Sequence, residues 1–131
     1  MCVLATTLES KVVRALFLRS HFKRGQLDSL LVKHYAYANG YRVKDVLNLK
    51  DRPASLGSLE RSAAQAERVI RKSTATLILA LSLGLLDYDV VSSIPKVSKA
   101  LEELKTQSVD DAQLNQLISI VDAILSKSSR K

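Results

Sequence analysis

The chain has 131 residues, 47% hydrophobic and 25% charged, with a formal net charge of +7. That length suits one domain able to bury its own core, and that balance excludes an intrinsically disordered chain. Cys2 is the only cysteine, which excludes an internal disulfide framework and a thiolate metal cluster and points to a reducing compartment or a chain indifferent to redox state.

Four glycines and two prolines, widely spaced, leave long uninterrupted segments, and apolar residues recur at helical rather than alternating spacing. An all-α fold is expected, a compact bundle of about five to six helices in a single domain over 1–131. No secretory signal is expected. Arg-bearing residues 3–24 could serve an organellar leader, but Glu9 and the helical pattern favour a retained first helix.

Thr6 with Glu9 has capping-box spacing, and Leu8, Val12, Ala15 and Leu16 predict a first helix from Leu8 to Lys23. Arg24 and Gly25 then form a stop. Leu27, Leu30, Leu31, His34 and Ala38 mark the expected buried face of a second helix ending at Asn39-Gly40. A short third helix is predicted from Val43 to Leu49 with Val43, Val46 and Leu47 inward, followed by a loop from Lys50 to Gly57.

Ser58 can cap a long fourth helix reaching Leu83, stopped by Gly84. Its apolar run Thr76–Leu86 is about half of the roughly 20 residues that span a bilayer, so it is expected in the core. Pro95 suits the first turn of a fifth helix with Ile94, Val97, Leu101 and Leu104 on one side. Ser108 and Asp111 open a sixth, with Leu114, Leu117, Ile118, Val121 and Leu125 inward.

The charge is lopsided. Residues 11–72 carry fourteen Lys or Arg against five Asp or Glu, whereas residues 73–131 carry six against seven. A field concentrated on one half attracts polyanions more strongly than the same charge dispersed, which makes nucleic acid the leading candidate partner.

Two features give that field an address. Tyr35 to Leu49, within residues 27–50, resembles a helix-turn-helix DNA-binding unit: Ala36 stands four positions before Gly40, where the two helices of that family cross closely, and Tyr41, Val46 and Leu49 fall where the second helix buries apolar groups. Asn39 departs from the pattern, which usually has an apolar residue there. The resemblance implies a groove helix over 42–49, with Arg42, Lys44, Asn48 and, just beyond, Lys50 reaching bases or phosphates. An ordinary helix hairpin capped by Gly40 is the competing account.

In the fourth helix, Arg61, Gln65, Arg68 and Lys72 fall within about 60° at roughly 100° per residue, a stripe suited to a row of phosphates. Leu59, Ala63, Ala66, Ile70 and Leu77 lie opposite. Glu60 and Glu67 flank the stripe, and Glu67 can pair with Arg71, as on an ordinary solvated face.

Catalysis is not expected. His21 and His34 lie thirteen residues apart with no ligand-like neighbours, and neither is a general-base candidate; His34 is expected in the core and His21 exposed. Gly57 before a helix start is no phosphate loop, Glu102–Glu103 and Asp110–Asp111 point apart on helices, and Cys2 has no nearby base. No cofactor and no membrane partner are expected.

The expectation is therefore a non-enzymatic binding protein of double-stranded DNA, in transcription regulation or nucleoid architecture, cytoplasmic, as a homodimer or higher homo-oligomer. Three tyrosines, Tyr35, Tyr37 and Tyr41, are too few for base-stacking, which ranks RNA lower. The alternatives are a structural or assembly subunit, such as a nucleoprotein or capsid component using the apolar run Leu77–Leu86 and the last helix for subunit contacts, and an accessory interaction module that meets an acidic protein.

Overall fold

In the computed structural model of the protein, the described residues are 2–104 together with 112, 115, 116, 119 and 122. They form α1 (Val3–Thr7), α2 (Lys11–Arg19), α3 (Arg24–Ala38), α4 (Leu56–Ser82) and α5 (Tyr88–Leu104). Two single 3-10 turns, Val43–Asp45 and Leu47–Leu49, join α3 to α4. The fold is all-α.

The expected first helix is two helices. Thr6 does not cap; its hydroxyl donates back to the Cys2 carbonyl at 3.1 Å. Instead, Ser10 restarts the helix, its Oγ accepting from the Val13 N–H at 3.3 Å, which satisfies one of the amides a helix start leaves open. Leu4, Val12 and Ala15 are the buried residues of this pair, whereas Leu16 is 40% exposed.

α3 is stabilised at its start by Gln26, whose Oε1 accepts the Lys23 N–H at 3.0 Å. It ends where the sequence places the stop. Gly40 has φ +71°, the Tyr41 N–H reaches back to the Ala36 carbonyl at 2.8 Å, and the Gly40 N–H to that of Tyr37 at 3.4 Å. This is the paired-bond helix terminus that favours glycine, because a Cβ is disfavoured at positive φ. Gly84 ends α4 identically, at φ +72°, with Leu85 bonded to Ala80 and Gly84 to Leu81.

α4 starts at Leu56, with Ser55 rather than Ser58 as the cap: the Ser55 Oγ accepts the Ser58 N–H at 3.1 Å. At about 1.5 Å per residue its 27 residues extend for roughly 40 Å. α3 packs along its first half. The central core joins Val32 and Ala36 of α3, Val43 and Val46 of the 3-10 turns and Leu59 of α4, with Tyr35, Leu47 and Leu49 against it. Ala63 and Ala66 are fully buried too, and their small side chains let the helices approach closely. A Ser62 hydroxyl to the Gly25 carbonyl, at 3.0 Å, ties α4 to the beginning of α3.

The inward face of α3 differs from the expected one. Asp28, Ser29, Val32 and Ala36 are buried, while His34 and Ala38 are exposed and Leu27, Leu30 and Leu31 only half-buried. Apolar residues surround α3, so their spacing selects no face; the polar cluster around Lys50 decides which side turns inward. His21 is exposed.

The apolar end of α4 is likewise outside the core. Ile78, Leu79, Leu83 and Leu85 are 58–63% exposed, and Ile70 and Leu77 are open too, because α3 covers only the first half of α4. Pro95 lies within α5, not at its start: the helix begins at Tyr88, behind Asp87, whose carbonyl accepts from Val90 at 3.1 Å and Val91 at 3.3 Å. Val97 and Leu101 are half-buried, but Ile94 is exposed. Of the expected sixth helix, Ala112, Asn115, Gln116, Ser119 and Asp122 are helical and exposed, and Asp122 lies 3.9 Å from Arg19; its expected inward residues lie outside the described ones. No described helix is long and apolar enough to cross a membrane.

Candidate nucleic-acid interface

The stripe on α4 is intact as geometry. Arg61, Gln65, Arg68 and Lys72 are all exposed, and none of the three cations forms an ion pair among the described residues. The flanking carboxylates are engaged elsewhere. Lys33 of α3, with a side chain only 20% exposed, reaches Glu67 at 3.4 Å and Glu60 at 3.8 Å, and Arg71 pairs with Glu67 at 3.7 Å. Lys33 and Arg71 thus engage the two acids on the helix shoulder, and the cations of the row keep no ion-pair partner among the described residues. Since surface ion pairs contribute little in water, this arrangement matters more for the field α4 presents than for stability.

The second expected cluster is arranged differently. Val43 and Val46 are buried as the spacing predicts and Leu47 is half-buried, but residues 43–49 are two successive 3-10 turns rather than one helix. Isolated single turns give no helical ridge of the kind laid in a major groove. Tyr41 is 53% exposed, its ring 6.3 Å from that of Tyr35. Arg42, Lys44 and Asn48 are exposed, with Arg42 already held by Asp45 at 2.9 Å.

Lys50 is the clear exception. Its side chain is 8% exposed, and Nζ donates to the Ser29 Oγ at 2.8 Å and lies 3.7 Å from the Asp28 carboxylate, itself 4% exposed. Both Asp28 oxygens also accept the Asp51 N–H, at 3.2 and 3.1 Å. An ammonium enclosed this way cannot reach a phosphate; it satisfies a buried carboxylate. Asp51 extends the latch outward, its carboxylate pairing with Arg24 at 3.1 Å and accepting from the Cys2 thiol at 3.9 Å. Together these residues pin the loop after the 3-10 turns to the first turns of α3 and to the N-terminus.

The Ser29–Lys50 contact does not activate the hydroxyl, because the Lys50 ammonium donates to Oγ rather than taking its proton, and Ser29 is fully buried. Asp28 and Ser29 were missed by sequence reasoning because polar residues on a helix are read as outward-facing. The one available signal was pairwise: an acid, a hydroxyl and a lysine bracketing a hydrophobic hairpin. Among the described residues no group of three His, Cys, Asp or Glu is placed to hold a metal ion. No protein-family model, curated protein or solved structure matches the chain.

Proposed function

We propose that the protein is a non-enzymatic nucleic-acid-binding protein that holds double-stranded DNA by its phosphates along the outer face of α4. The observation that carries this reading is the row Arg61, Gln65, Arg68 and Lys72, exposed on one side of the longest helix, with neighbouring Glu60 and Glu67 drawn away by Lys33. Each cation that meets a phosphate releases condensed counterions, so affinity comes from the backbone and needs no base-specific contact. Arg42, Lys44 and Asn48, presented by short turns, fit additional phosphate contacts better than base reading, and Lys50 takes no direct part.

The test is titration of the protein into a labelled random duplex at several salt concentrations. The wild type should bind at low salt with a steep salt dependence. Replacing Arg61, Arg68 and Lys72 together by Ala should weaken binding to every sequence and flatten the log–log salt slope by about 3, near 0.9 per lost contact. No binding at low salt, or an unchanged slope in the triple variant, rejects the assignment. A second reading, a structural or accessory subunit, is favoured by the apolar side chains exposed at Ile78, Leu79, Leu83 and Leu85.

A further inference from the structure

The outward row of α4 continues past Lys72 with a change of chemistry. At roughly 100° per residue, Leu79 and Leu83 fall within the same arc of about 60° as Arg61, Gln65, Arg68 and Lys72. Both leucines are exposed, at 58% and 63%. With a rise of about 1.5 Å per residue, the row from Arg61 to Lys72 extends for about 16 Å, and Leu79 stands about 10 Å beyond it. Leu83, the C-terminal cap of the helix, follows about 6 Å further on. Ile78 lies about 100° away around the helix and Leu85 beyond the Gly84 turn, so neither shares the arc.

Residues 73–86 include no charged side chain, and every residue from Arg71 to Leu79 is exposed. A duplex seated on the cations therefore meets leucines where α4 runs on. Leucine against a phosphate removes water from the anion and gives no bond in return. The apolar surfaces of a duplex are its stacked base faces and the thymine methyls. The methyls line the major groove, whereas a helix holding phosphates along one arc rides on the backbone rim. The minor groove is about 6 Å wide, too narrow for a helix about 10–12 Å across, so a helical leucine gains a base face there only by opening a base step.

We propose that Leu79 and Leu83 form a wedge: with the duplex held by Arg61, Arg68 and Lys72, they enter the minor groove, partly unstack a base step and bend the DNA. Apolar side chains used in this way kink a duplex by about 20–90° towards the major groove. The wedge rests on the phosphate-row reading and narrows the partner from any polyanion to a duplex that can be bent. It favours steps that unstack easily, such as TA and CA/TG, without a hydrogen bond to any base.

The full chain is titrated at low salt into a short random-sequence duplex carrying a fluorescent donor and acceptor at its two ends, and into the same duplex with one central mismatch. The wild type should shorten the end-to-end distance at saturation and bind the mismatched duplex several-fold more tightly, because an unpaired step costs less to open. Leu79→Ala with Leu83→Ala should leave the duplex straight and abolish that preference, while the salt slope stays that of the wild type because all three cations remain. Both positions are exposed and alanine is a good helix former, so the circular dichroism should not change. Absence of duplex binding removes the row and the wedge together. Binding that leaves the duplex straight, or a bend that survives in the double variant, overturns the wedge alone. So does binding to vesicles of phosphatidylserine and phosphatidylcholine, or a dimer formed without DNA, when the double variant loses it, because the leucines then belong to a lipid surface or to a second copy.

Discussion

Removing the ammonium of Lys50 while keeping its hydrophobic stem, as in Lys50→Met, leaves the Asp28 carboxylate, 4% exposed, with the hydrogen bond from the Asp51 amide but without its cation. Breaking a buried pair from one side costs on the order of 3–5 kcal/mol, since the remaining charge has lost both water and partner. The retained Asp51 N–H bond places this variant at the low end, about 3 kcal/mol. With a urea slope of about 1.5 kcal/mol/M, the midpoint should fall by about 2 M. A double replacement, Asp28→Leu with Lys50→Met, removes both charges and should recover part of that loss, because no charge then stays buried without a partner, while the Asp51 N–H loses its acceptor. Equilibrium urea unfolding followed by circular dichroism measures all three proteins. A Lys50→Met midpoint equal to that of the wild type would refute the buried-latch account and return Lys50 to the surface.

Three further substitutions probe the frame that carries α4. Gly40→Ala forces a Cβ onto φ +71° and should cost about 1–2 kcal/mol, although space at the site is open; a neutral effect in thermal unfolding would contradict the left-handed terminus. Leu59→Ala, at a fully buried position between α3 and the 3-10 turns, should cost about 2–5 kcal/mol by leaving a cavity, and a loss below 1 kcal/mol would place Leu59 outside the core. Pro95→Ala restores an amide to the interior of α5 and should raise helicity and stability, by up to about 3 kcal/mol; a loss of helicity would contradict the placement of Pro95 inside the helix.

The local code of this chain is strong where a single residue decides the outcome. Gly40 and Gly84 end α3 and α4 because almost only glycine takes a positive φ without strain, and both stops are visible in the sequence. The outward row of α4 was visible as well, because charged side chains at whole-turn spacing need only solvent to face. Tertiary structure decided what depends on a partner distant in sequence. Asp28 and Ser29 turn inward because Lys50, more than twenty residues away, comes to meet them, and that pairing turns His34 outward. The apolar stretch near Leu79 stays exposed because α3 is too short to cover it, a fact about where one helix stops beside another. Hydrophobic spacing marks which residues could be buried, but burial is a property of two surfaces, and a sequence lists them one at a time.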